Sequence, residues 1–271
     1  MRHKRWAVLV LGFVTLLCGS FKAAAQLSSF AVLAGSTVTN TATPTVVTGD
    51  LGVSPGSAVT GFPPGTVIGT IHAADAAAAQ AQSDLTTVYN NLANAACNTS
   101  LTGQDLGGKT LTPGVYCFST SAQLTGTLTL DAQGDPNALF LFKIGSSLTT
   151  ASGSSVLLIN SASSCGVFWQ VGSSATLGTG TSLAGSIVAL TSITLNTGAG
   201  VTGRTLARNG AVTLDNSHVT LCGGGPGFPP FTAAIPTLSE SALIFLAALL
   251  VLSGLVALRG QRTGLRVKAK L

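Results

Sequence analysis

Apolar and polar positions in the middle of the chain alternate in short bursts that return at a fixed interval. Lys143-Ile144-Gly145-Ser146-Ser147-Leu148-Thr149-Thr150 aligns with Gln170-Val171-Gly172-Ser173-Ser174-Ala175-Thr176-Leu177, then with Ala189-Leu190-Thr191-Ser192-Ile193-Thr194-Leu195 and Arg208-Asn209-Gly210-Ala211-Val212-Thr213-Leu214. The later copies lie about 18 to 19 residues apart, the length of one coil of a β-solenoid. An apolar residue precedes each central threonine, and in every copy but the first another follows it. Side chains alternate across a strand, so the apolar pair points inward and the threonine outward. The pattern predicts one outward column of Thr149, Thr176, Thr194 and Thr213, with Thr129 of Leu128-Thr129-Leu130 as a fifth member. Three residues beyond the first four stand Ser152, Thr179, Thr197 and Asn216. A coil corner separates these from the column, so alternation leaves their direction open.

Each coil also carries a more hydrophobic strand, at residues 139–144, 167–171 and 187–190. Phe140-Leu141-Phe142 and Val167-Phe168-Trp169 have apolar residues on both sides, the mark of a face covered by another element. A helix expected over residues 73–96 is the natural cover. Leu85, Val88, Tyr89, Leu92 and Ala96 recur there at helical spacing, Gly and Pro are absent, and an alanine run raises helix propensity. His72 would open this helix.

Composition changes the picture chiefly at the ends. The formal net charge of +5 is terminal: residues 26–234 hold Lys109, Lys143, Arg204 and Arg208 against Asp50, Asp75, Asp84, Asp105, Asp131, Asp135 and Asp215, a net −3. That balance offers no basic surface for nucleic acid. Residues 1–25 join the basic Arg2, Lys4 and Arg5 to an apolar run and a small exit, Ala23-Ala24-Ala25, the grammar of a secretory signal peptide; Cys18 goes with it. After a Pro/Gly linker at 223–234 come Ile235-Pro236-Thr237-Leu238-Ser239-Glu240, an apolar stretch at 241–258 long enough for one membrane helix, and a basic tail that favours a cytoplasmic end. This order, completing a segment from 235 to 271, resembles the IPTL-type sorting signals of Gram-negative bacteria. The resemblance implies a membrane protease as partner, a transient membrane stage and delivery to the cell surface. A permanent single-helix anchor is the rival reading.

Residues 26–222 remain, enough for one β domain and rich in the β-branched residues that disordered chains lack. Its cysteines, Cys97, Cys117, Cys165 and Cys222, favour two disulfides whose connectivity sequence does not fix; pairing by neighbourhood, Cys97 with Cys117 and Cys165 with Cys222, is the expectation. Enzymes that cleave sugars need paired carboxylates, and the aspartates here are scattered. Asp50 and Asp135 fall in turns, where a carboxylate caps backbone. Arg204 and Arg208, four apart in one expected strand and so on one side, would suit an acidic sugar, although pairing with Asp215 or a neighbouring loop explains them more simply. His72 and His218 lack a metal-site spacing. With no phosphate loop and no serine-triad context, the residues predict no enzyme, no metal and no cofactor.

Several motifs, taken in order, carry a second resemblance: Ser29-Phe30-Ala31-Val32-Leu33-Ala34-Gly35, Gly49-Asp50-Leu51-Gly52-Val53-Ser54-Pro55-Gly56, Leu111-Thr112-Pro113-Gly114-Val115-Tyr116, Gly134-Asp135-Pro136-Asn137-Ala138 and Gly203-Arg204-Thr205-Leu206-Ala207-Arg208-Asn209-Gly210. They resemble the microbial ice-binding-protein family across nearly the whole body. The resemblance implies a mainly β fold, a discontinuous right-handed β-solenoid of triangular section with a long helix alongside. The N-terminal strands would close onto the C-terminal coils, with a cap near residues 98–117. It also implies an ice crystal as partner, met by a flat face of Thr129, Thr149, Thr176, Thr179, Thr194, Thr197, Thr213 and Asn216. A surface adhesin or matrix protein without ice activity is the alternative.

Overall fold

The computed structural model describes residues 27–41 and 44–223. The expected signal peptide and the expected linker, sorting signal and apolar helix after residue 223 lie outside them. Among the described residues no helix is long and apolar enough to cross a membrane.

Strands of two to five residues are separated by corners. Among the described residues the chain makes no hairpin; it turns three corners and returns one level along, so that the neighbouring strands run parallel. Three sheets result, of nine, seven and eight strands, and together they enclose a triangular section. One strand of each coil lies in each sheet. Phe140–Ile144, Leu148–Thr150 and Ser155–Ile159, for example, occupy the first, second and third.

Seven coils stack, but not in chain order. From one end they are residues 114–131, 140–159, 167–184, 186–202 and 205–220, followed by 30–48 and 50–68. The first coil of the chain thus sits on its last: Val32 pairs with Thr205, Thr39 with Thr213 and Val47 with Val219. The helix α1, Ala76–Asn94, carries the chain from one end of the stack to the other. Its 19 residues span about 28 Å at 1.5 Å each, and the six steps between coils 50–68 and 114–131 span about 29 Å at strand spacing. The helix is as long as the discontinuity requires.

α1 begins later than the 73–96 expected. Ile71–Ala73 continues the first sheet against Leu51 and Val53, and the Asp75 side chain caps the helix by accepting from the Ala78 amide at 2.8 Å. His72 accordingly lies on a strand, its Nδ1 2.7 Å from the Asp75 carboxylate. The Ala78 amide and then the His72 ring hold the Asp75 carboxyl below its ordinary range. Ala81, Leu85 and Leu92 of α1 bury themselves on Phe30, Leu33, Leu141, Phe168, Val188 and Leu206. Fully burying a leucine is worth about 1.5–3 kcal/mol, and this contact explains why the first sheet is apolar on both faces. Inside the coils Phe142 stacks on Trp169 at 4.1 Å and on Tyr116 at 5.6 Å.

The bonded cysteines are Cys97–Cys117 and Cys165–Cys222. The first ties the residues after α1 to coil 114–131. Thr99–Ser100, Asp105 and Thr110–Leu111 add one partial level to the three sheets there. Asp50 and Asp135 accept from the Thr70 and Asn137 amides. The strand between the two arginines spans only Thr205–Ala207. Arg204 is buried, which pulls its pKa down, and it donates to the Ser28 carbonyl; Arg208 lies over the Tyr89 ring.

Two outcomes follow for stability. The corner from the third sheet to the first is turned by Gly49, Gly185 and Gly203, all with positive φ, and a methyl group on Gly203 would lie 2.1 Å from the Gly185 carbonyl oxygen. Gly203→Ala should lower stability by about 1–3 kcal/mol, read as a fall in the thermal midpoint; an unchanged midpoint would show that the corner relaxes freely. Asp84, buried on α1, has one carboxylate oxygen bonded by Gln80 and the other without a partner among the described residues. Burial raises its pKa, so the folded state binds the proton more tightly and the cost of ionisation grows as pH rises. Asp84→Asn should therefore raise the thermal midpoint at pH 7, with the gain shrinking below the ordinary value of 3.8; a gain independent of pH would contradict this.

Candidate functional site

In the second sheet the strands Ala122–Leu124, Leu148–Thr150, Ala175–Leu177, Ile193–Leu195 and Val212–Leu214 have inward residues at their ends and one outward residue at the centre, whereas Ala58–Thr60 has its inward residue, Val59, at the centre. The inward pairs, among them Ala175 with Leu177, Ile193 with Leu195 and Val212 with Leu214, are buried. That buried pair fixes each strand's rotation, because a slip of one residue would turn the whole apolar set outward. The centres then align: Thr149 pairs with Thr176, Thr176 with Thr194 and Thr194 with Thr213.

The column is longer than the repeat alone predicts. Thr213 pairs onward with Thr39 and Thr39 with Thr60, while Gln123 adjoins Thr149 at the other end. Thr39 and Thr60 had a legible signal, since Val38-Thr39 and Val59-Thr60 share the apolar-threonine order. Only the out-of-order stacking of the first coils reveals that they extend this column. Five threonines thus stand in unbroken succession at about 4.7–4.9 Å per step, with Thr60 at 3.3 Å from Thr39, hydroxyl to hydroxyl, as a sixth.

Beside it runs a second outward row, two residues earlier: Ser147, Ser174, Ser192, Ala211, Thr37 and Ala58. The Ser174 hydroxyl accepts from the Ser192 amide, and the Ser192 hydroxyl from the Ala211 amide. These serines brace adjacent coils while keeping the face low.

Thr129 does not belong to the column. It lies on the third sheet, paired with Thr110 and Leu157, and Gln123 takes the corresponding place on the second. The apolar-threonine-apolar order serves any sheet with one buried side, so it does not identify the face. Ser152, Thr179 and Thr197 occupy the corner between the second and third sheets, where the Gly153 amide reaches the Thr179 carbonyl and the Gly180 amide that of Thr197. Asn216 falls out of this row. Its coil is one residue shorter at the corner, so Asn216, at φ 49°, takes the left-handed position held elsewhere by Gly153, Gly180 and Gly198. Asn is among the few residues that tolerate that conformation. Asp215 instead aligns with Thr197 and accepts its hydroxyl at 2.5 Å.

No Lys, Arg, Asp or Glu stands in either row; the nearest charges are at the margins. Asp215 is at the corner, and Asp105 pairs with Gln123 at the capped end. Burial disfavours the charge on Asp105, but bonds from Gly107 and Thr125 outweigh it and hold the carboxyl below its ordinary range. The third sheet is less even. Its outward rows include Thr48, Thr202 and Thr220 in register, but also His218 and the exposed Leu157 and Ile68. Among the described residues no group of three or more His, Cys, Asp and Glu could hold a metal ion.

The family described as Ice-binding-like matches residues 32–220, and the IPTL-CTERM motif matches residues 233–266. The chain is 63% identical over 194 residues to an ice-binding protein of Nostoc sp. (strain HG1), covering 71% of each. A solved ice-binding protein from an Antarctic biological consortium superposes with a TM-score of 0.71 at 48% identity, covering 73% of this chain and 89% of that one. Another, from the Antarctic ascomycete Antarctomyces psychrotrophicus, gives 0.71 at 39% identity, covering 74% and 98%. A match that takes in all seven coils, joined to this identity and this fold, means that the chain belongs to the ice-binding-like family.

Proposed function

We propose that the protein binds ice through the outward face of its second sheet. The single observation that carries this reading is the in-register run Thr149, Thr176, Thr194, Thr213 and Thr39 on an uncharged plane. Each threonine offers a methyl group beside a hydroxyl that donates one hydrogen bond and accepts others. Repeated at strand spacing, the pair can hold a water layer already arranged like a crystal surface. A rigid face loses little entropy on contact, so many weak contacts add. Thr179 and Thr197 extend the contact at the corner, while Asp215 and the turn at Asn216 mark its edge.

The face acts outside the cell. The signal-peptide pattern of residues 1–25 and the IPTL-CTERM match support export, removal of the C-terminal segment by a sorting protease after a membrane-bound stage, and display on a Gram-negative surface. A protein displayed in this way would hold its cell to ice as well as inhibit crystal growth.

Purified protein should show thermal hysteresis and inhibit ice recrystallisation. Thr194→Tyr should abolish both with little change in the melting midpoint, because the ring lifts the plane off the crystal at the centre of the column. Thr202→Tyr, on the third sheet, should leave both intact. If the Thr194 variant kept its activity while the Thr202 variant lost it, the contact would belong to the third sheet instead.

A further inference from the structure

A recess of about 550 Å³ opens where α1 runs off the first sheet, within the usual size of small-molecule sites. Register explains why it is polar. One outward row of the first sheet runs Leu206, Val188, Gln170, Lys143, Cys117, Ser100. Leu206 and Val188 lie in the apolar contact with the helix; from Gln170 onward the cover thins, because α1 ends at Asn94. The wall opposite the sheet is Tyr89 of the helix, and the Cys97–Cys117 disulfide lines the recess.

Gln170 is the unexplained residue. It is only 5% exposed and lines the recess, yet among the described residues its side-chain amide has no hydrogen-bond partner. Its amide carries two donors and an acceptor, and neither its nitrogen nor its oxygen is a buried orphan, so both are open to a molecule in the recess. Beside it, the Lys143 ammonium donates to the Ala95 carbonyl at the end of α1 and keeps two further donors. No carboxylate lines the recess. Along the other side runs a chain of hydroxyls, Ser100 to Thr102 at 3.4 Å and Thr102 to Ser119 at 3.3 Å. Arg208, over the Tyr89 ring at 4.9 Å, adds positive charge nearby.

We infer that this recess binds a carboxylate-bearing sugar of the uronic acid class. The carboxylate meets Lys143, the ring hydroxyls meet the Gln170 amide and the Ser100, Thr102 and Ser119 hydroxyls, and an apolar edge of the sugar lies on Tyr89. A free uronic acid and one residue of an acidic extracellular polysaccharide share this chemistry. The site is separate from the threonine face and does not depend on its function.

Calorimetric titration of the purified full chain with galacturonate, oligogalacturonate and galactose tests it. Galacturonate or its oligomer should bind, and galactose about tenfold more weakly or worse, the size expected for one charge-assisted contact. Binding of the oligomer alone would assign the site to the polymer. Lys143→Met and Gln170→Leu should each weaken binding about tenfold and keep the parent's melting midpoint. Because Lys143 also holds the end of α1, Gln170→Leu decides the matter if the lysine variant does not fold. No binding of either acid, equal affinity for galactose, or undiminished binding by Gln170→Leu would overturn the assignment.

Discussion

Everything in this molecule depends on the parallel hydrogen bonding that locks one coil onto the next in register. A coil of three short strands cannot stand alone, since it buries its apolar residues only by lying against neighbours. Once stacked, each level repeats the rotation of the one below, and whatever residue occupies a given outward position becomes a row. The threonine column is a consequence of this: Val212 and Leu214 point in, so Thr213 must point out, over Thr194 and under Thr39. The same lock supplies the stiffness that a lattice-matching surface requires.

The discontinuous order of the coils puts the strands of residues 30–48 in the interior of the stack, where each is paired on both edges. A simple stack exposes an unpaired edge at each end, a template for aggregation. Here coil 30–48 lies inside the stack, coil 50–68 follows it outward, and α1 carries the chain to the far end. The helix then seals the apolar outer side of the first sheet, and the partial level at residues 99–111 covers the far end. Of the three sides, one is closed by the helix. Of the two left open, the second sheet keeps its outward rows short and uncharged, while the third admits Leu157, Ile68 and His218.

Much of this was legible in the sequence because solenoid structure is local and periodic. The repeat located the central coils, alternation set which side of each strand is buried, and the doubly apolar Phe140-Leu141-Phe142 announced the covered sheet. Three things were hidden for physical reasons. Thr129 obeys the alternation of its own sheet, so the pattern could not say which of three faces it joins. Asn216 sits in a corner one residue shorter than its neighbours, a change that spacing from the threonine cannot detect. Thr39 and Thr60 enter the column through contacts between the two ends of the chain, which local pattern does not encode. The partnerless amide of Gln170 was likewise invisible until the end of α1 was placed beside it.

The central claim is that a flat plane in register recognises a crystal lattice. The most direct measurement is to grow a single-crystal ice hemisphere in fluorescently labelled protein and map where the label is incorporated. The account predicts label confined to sharply bounded patches, because a fixed repeat matches only certain planes. Clear ice, free of label at every orientation, would contradict it.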